Sequence, residues 1–97
     1  MRSPLHNEKY VFLLEALQEL RKRKGWNQRE LAAALGIGQD IVSRCESGKR
    51  RVDVFELALW CQACGTTLEK FVKGLDIRIR SNQLPGLLRP DELDSGK

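Results

Sequence analysis

WNQRELAAALGIGQDIVSRCESGKRR, residues 26–51, is the stretch whose reading decides the fold. Asn27 and Glu30 have the spacing of a capping box, with Trp26 before the cap and Leu31 at the fourth helical position as a hydrophobic staple. Leu31, Ala32 and Leu35 then make one apolar stripe, and the small Ala32 lets a second helix cross closely. Gly36 supplies a left-handed residue to stop the first helix. Ile37 is expected to re-enter the core, and Gln39 to Glu46 to form the next helix. Lys49, Arg50 and Arg51 follow at once as a cationic run.

The second helix sorts its residues by face. At about 100° per residue, Ile41, Val42 and Cys45 point one way, while Gln39, Asp40, Ser43 and Arg44 occupy the opposite arc. Two short helices about a tight turn, a polar face on the second and cations after it make the pattern of a helix-turn-helix DNA reader. Gln can pair bidentately with adenine, Arg with guanine, and Asp can accept from the cytosine amino group. Gln39, Asp40, Ser43 and Arg44 are therefore the candidate base-reading residues. The plainer reading is an amphipathic helix with a solvated face, in which Asp40 and Arg44, an acid-first i,i+4 pair, hold each other. Lys49, Arg50 and Arg51 are candidates for phosphate contact, with Asn27, Gln28 and Arg29 at the start of the first helix.

A family resemblance rests on these same residues. Leu20-Arg21, Gly25-Trp26-Asn27-Gln28, Glu30-Leu31-Ala32, Leu35-Gly36, Val42-Ser43, Glu46 and Gly48-Lys49-Arg50 resemble the phage-repressor-like (Xre-type) helix-turn-helix regulators over roughly residues 9–75. The resemblance implies an all-α fold, a compact five-helix repressor-like domain whose helices 2 and 3 are the DNA-binding unit. It also implies that Gln28 anchors a phosphate and that Arg21 and Glu46 form a structural ion pair. Two positions depart from the pattern. Gly38 stands where the family has Ser or Thr as helix cap, and Asp40 puts an acid on the reading face.

Outside this stretch the leucines carry the signal. Leu13, Leu17 and Leu20 recur at i, i+4 and i+7 with Leu14 beside them and Tyr10 one turn earlier, predicting a helix from Asn7 to Lys24. Its cationic last turn, Arg21 to Lys24, complements the helix dipole, and Gly25 ends it. Asp53 and Glu56 form a second capping box, stapled by Val52 and Leu57, opening a helix over 54–64 that buries Leu57, Trp60, Cys61 and Cys64. Thr66 and Glu69 repeat the spacing and open a short helix through Lys73, burying Leu68, Phe71 and Val72, with Gly74 as its stop. Asp76-Ile77-Arg78-Ile79-Arg80 alternates, which predicts a strand over 76–81, either loose or pairing with a second copy. The expected organisation is a DNA-binding domain over 1–75 and a C-terminal extension over 76–97. Residues 1–6 and 89–97 read as loose ends.

Composition narrows the function classes. Ninety-seven residues suffice for one small domain, and 41% apolar content supports a packed core. The chain carries +4, and because 81–97 holds two basic and three acidic residues, residues 1–80 carry +5. A pI near 9.2 fits a nucleic-acid binder without proving one. Neither a signal h-region nor a membrane-length apolar run is present, so a cytoplasmic protein without membrane attachment is expected. Cys61 and Cys64 form a C-x-x-C late in a helix, without a second Cys or His pair to complete a zinc site and without the βαβ setting of a thiol oxidoreductase. They read as core cysteines. No nucleophile–base pair or phosphate-binding glycine loop suggests an enzyme, and no cofactor or metal is expected.

The expected activity is sequence-specific transcriptional regulation, as a repressor binding double-stranded DNA as a homodimer on a two-fold operator. One module of this size offers a small interface, about 600–1,000 Å², so pairing two half-sites is expected on energetic grounds. An antitoxin that binds a partner protein through the C-terminal extension and represses its own operon is the alternative. A small thiol redox protein is a distant third.

Overall fold

Two of the three expected capping boxes, those of Asn27–Glu30 and Asp53–Glu56, close in the computed structural model of the chain, which describes residues 10–82. The Asn27 side chain accepts from the Glu30 N–H at 2.8 Å while the Glu30 carboxylate accepts from the Asn27 N–H at 2.8 Å. Asp53 and Glu56 do the same at 2.8 and 3.1 Å. Each box satisfies backbone donors that a helix start leaves without an intrahelical partner. The helices are α1 (Val11–Lys24), α2 (Gln28–Leu35), α3 (Gln39–Ser47), α4 (Val54–Ala63) and α5 (Leu68–Asn82), with no strand among the described residues. The readings made of residues 1–9 and 83–97 lie outside the described range.

The core forms where these helices meet. Leu17 and Leu20 of α1, Leu31 and Ala32 of α2, Val42 and Cys45 of α3, Leu57, Trp60 and Cys61 of α4 and Phe71 of α5 make one buried cluster. Trp26 and Val52 pack against it from the rim, as the staple spacings imply, and Leu35 of the α2 stripe joins them. The indole Nε1 of Trp60 is buried with no acceptor among the described residues. Such a donor costs about 1–3 kcal/mol, which the ring's burial must outweigh.

Two glycines set the frame of α3. Gly36 at φ +72° ends α2 in a left-handed turn, where the Ile37 N–H reaches back to the Ala32 carbonyl at 3.0 Å. Gly48 at φ +83° ends α3 and is buried under α1, where an added Cβ would stand 3.0 Å from Leu14 Cδ1. Its left-handed conformation strains any side chain, and Leu14 would have to shift by a few tenths of an ångström to admit one.

Several expectations need correction. Residues 76–81 are helical, not a strand, and Gly74 does not stop α5, which runs without a break across the expected boundary at 75. The reason is the partner α1 provides. Phe71, Leu75 and Arg78 recur at helical spacing on the groove they share with Ala16, Glu19 and Leu20, and Arg78 bonds Glu19 at 3.0 Å. Asp76 and Arg80 pair at i,i+4, a contact that only a helix makes. A lone strand would have left its backbone unpaired, so the β-branched alternation loses to tertiary contact. The cap of α5 is Thr67, not Thr66: the Thr67 hydroxyl accepts from the Lys70 N–H at 3.1 Å, and the helix begins at Leu68. Val72 is 46% exposed and Ile37 is 40% exposed, so neither joins the core.

Candidate nucleic-acid interface

Helix α3 is held by its inner face and leaves its outer face to solvent. Val42, Cys45 and Glu46 are buried, Ser43 is half-buried, and Gln39, Asp40 and Arg44 are exposed. Among the described residues no ion pair joins Asp40 to Arg44, so the i,i+4 alternative is not adopted. Asp40 instead turns back on the helix start: a Cβ placed on Gly38 would meet Asp40 Oδ1 at 2.6 Å. Its carboxylate occupies the space a capping Ser or Thr would need, in a helix turn where negative charge is favourable. Gly38 itself offers no side-chain cap.

Glu46, 4% exposed, is the hub behind this face. Its Oε2 accepts from Arg21 Nε at 2.7 Å and its Oε1 from Arg21 Nη2 at 3.1 Å, a two-pronged pair with an arginine side chain only 11% exposed. Arg21 also donates through Nη1 to the Trp26 carbonyl at 2.8 Å, and Gln18 Nε2 donates to the Glu46 carbonyl at 3.1 Å. The geometry is that implied for the Arg21–Glu46 pair. A further bond was not foreseen: Gln28 Nε2 donates to Glu46 Oε1 at 3.0 Å. The first residue of α2 is thereby tied to the last turn of α3.

The cationic run is divided by its surroundings. The Lys49 and Arg50 N–H groups both bond the Arg44 carbonyl, at 2.9 and 3.1 Å, so the run begins at a fixed point past α3. The Lys49 side chain is exposed. Arg50 instead folds onto Glu56, with Nη2 to Oε2 at 2.7 Å and Nη1 to Oε1 at 3.3 Å, and reaches Cys45 Sγ at 3.4 Å. Arg51 lies over the Tyr10 ring, 5.6 Å from its centroid, while the Tyr10 hydroxyl accepts from the Val52 N–H at 3.4 Å. Asn27 spends its side-chain oxygen on the α2 cap, and Arg29 is exposed beside it. Arg50 holds the Glu56 carboxyl below the usual carboxylate range, helped by the Asp53 N–H. A depressed folded-state pKa contributes stability at neutral pH, and that contribution is withdrawn as pH falls through the folded value.

Sequence reasoning missed the Arg50–Glu56 and Gln28–Glu46 contacts. Glu56 already had a role as the box residue of α4, and six residues fit no helical repeat. Gln28 and Glu46 lie on different helices, so only the fold brings them together.

The C-x-x-C cysteines sit apart from this surface. Burial pushes the Cys61 thiol up to about 11, aided by Cys64, and burial also raises Cys64 and Cys45. These thiols stay protonated at neutral pH, the opposite of an activated nucleophile. Replacing Cys61 and Cys64 together by Ala should cost about 1–2 kcal/mol in urea unfolding, Cys61 giving the larger share because it is fully buried. DNA binding should persist where the protein folds. Loss of binding on mild oxidation with the fold intact, or stoichiometric zinc after preparation in metal-free buffer, would contradict the structural role.

Comparison with known proteins agrees with the geometry. A family model described as helix-turn-helix matches residues 17–71, which contain α2, α3, α4 and their connections. The HTH-type transcriptional regulator AnsR of Bacillus subtilis (strain 168) is 36% identical over 59 residues, 61% of this chain. The chain spans about half the length of that relative, the matched part being 51% of it. A solved XRE-family like protein from Pseudomonas syringae pv. tomato str. DC3000 superposes with a TM-score of 0.69 at 40% identity, covering 75% of this chain and 89% of the other.

Proposed function

The chain belongs to the Xre-type helix-turn-helix family of DNA-binding transcription regulators, and we propose that it is a sequence-specific repressor acting as a homodimer on a two-fold DNA site. The observation that carries this reading is α3: a helix pinned through Val42, Cys45 and Glu46, with Gln39, Asp40, Ser43 and Arg44 on its outer arc and the exposed Lys49 just beyond. The outer residues can bond base edges, while Lys49, Arg29, Gln28 and the N-terminus of α2 contact phosphates. Arg50 acts mainly as a brace through Glu56; Arg51 and Asn27 add backbone contacts where their intramolecular bonds leave donors. On this reading the site of action is the cytoplasm, where the DNA lies; separately, no described helix is long and apolar enough to cross a membrane.

Selection of bound duplexes from random DNA tests this. The expected result is one enriched motif with two-fold symmetry. Equal recovery of all sequences would remove the specificity claim, and an asymmetric single half-site would remove the homodimer.

The homodimer contact is assigned to the start of α4. Phe71 is buried in the monomer core and is not available for it. Val54 and Phe55 are each 70% exposed, the most exposed large apolar side chains described, and they lie three and four residues past the cationic run. Apolar side chains this exposed mark a contact surface, and a two-fold axis there sets the two reading helices near each other. Phe55→Glu should shift the protein to monomer in sedimentation and weaken binding to the full motif far more than to a half-site. A Phe55→Glu protein that still sediments as a dimer would move the interface elsewhere.

A further inference from the structure

Building on the DNA-binding reading, we propose that Glu46 is a positioning residue for DNA-backbone contact: it holds the Gln28 amide so that one Nε2–H stays on its carboxylate while the other is left for a phosphate oxygen. A carboxylate only accepts hydrogen bonds, so the nitrogen of the Gln28 amide, not its oxygen, must face Glu46 across the 3.0 Å contact. That choice fixes where the second Nε2 proton lies. A free glutamine would sample several rotamers and both amide orientations, and binding would have to freeze them. Here they are set before DNA arrives.

The charge of Glu46 does not oppose a nearby phosphate, because Arg21 engages both of its oxygens at 2.7 and 3.1 Å. Gln28 is the first residue of α2, whose free N–H groups and positive dipole end favour the same anion. Glu46 lies in the last turn of α3 and its carbonyl takes Gln18 from α1. The phosphate donor and the reading helix are therefore referenced to one residue, and a backbone contact at α2 fixes how α3 enters the groove.

The test compares the full-length parent, Gln28→Ala, Glu46→Gln and the double variant on the selected motif and on scrambled duplex, over a range of salt. Gln28→Ala should bind both DNAs about tenfold more weakly, as for loss of one hydrogen bond to a charged group. Its log–log salt slope should match the parent, because a neutral amide releases no counterion. Glu46→Gln should weaken both DNAs in the same ratio, and adding it to Gln28→Ala should change nothing further. Losses that multiply in the double variant, or a Glu46→Gln loss confined to the selected motif, would overturn the proposal. Should Glu46→Gln fail to fold, side-chain amide resonances of Gln28 in the free parent decide. A slowly exchanging, hydrogen-bonded Nε2 proton is expected, and an amide exchanging like a solvent-exposed glutamine would overturn it. A parent that binds no DNA at all defeats the regulator reading instead, and the same spectrum still judges the contact.

Discussion

Glu46→Ala is expected to lower unfolding stability by about 3–5 kcal/mol, the cost of leaving one partner of a buried pair alone. The expectation depends on burial. With side chains 11% and 4% exposed, Arg21 and Glu46 lie far from the solvent-screened regime in which such pairs are worth about 0–1 kcal/mol. Removing the carboxylate leaves a guanidinium with only the Trp26 carbonyl, frees the Gln28 amide and opens a small void at the end of α3. Against a typical total of about 5–15 kcal/mol this is a large fraction, so the melting temperature should fall by many degrees. Arg21→Met combined with Glu46→Leu should recover much of the loss, because apolar replacements leave no charge unpaired. DNA binding should stay up to about tenfold weaker than the parent's, since Gln28 then has nothing to hold it. A Glu46→Ala protein that unfolds at the parent's urea concentration would show that the pair contributes little.

The parts of this fold that were readable in the sequence are those set by local chemistry. The Asn27–Glu30 and Asp53–Glu56 boxes, the left-handed Gly36 and the leucine stripe of α1 each depend on residues within one or two turns. What was not readable depends on distant partners. Ile77 and Ile79 favour a strand locally, yet the contacts of Leu75 and Arg78 with α1 make the segment helical. Ile37 sits one residue past a left-handed turn, and no local pattern told whether the chain there faces inward or outward. The candidate interface divides in the same way. The outer arc of α3 followed from periodicity, whereas the Arg21–Glu46 pair followed from family resemblance. The diversion of Arg50 to Glu56 required the fold, and it changes the meaning of the cationic run. Of three adjacent charges, one braces the loop against α4, one lies on an aromatic ring and Lys49 is exposed.

That division sharpens the expected difference between reading and gripping. Arg44→Ala should cost about 1–3 kcal/mol on the selected motif and relax discrimination at one base position, while binding to scrambled DNA changes little. The side chain is exposed on the outer arc of α3, and Asp40 is turned toward Gly38 instead of holding it. Lys49→Ala should weaken both DNAs alike and flatten the log–log salt slope by about one unit, because one charge no longer displaces a counterion. Arg50→Ala makes a third arm. With its guanidinium committed to Glu56 and Cys45, its loss should lower stability at neutral pH and alter the salt slope less than Lys49→Ala does. Titrations of the three variants on both duplexes at several salt concentrations separate these outcomes. Equal weakening of both DNAs by Arg44→Ala, with an effect of Lys49→Ala confined to the selected motif, would reverse the two roles. A slope change in Arg50→Ala as large as that of Lys49→Ala would mean that DNA draws Arg50 away from Glu56.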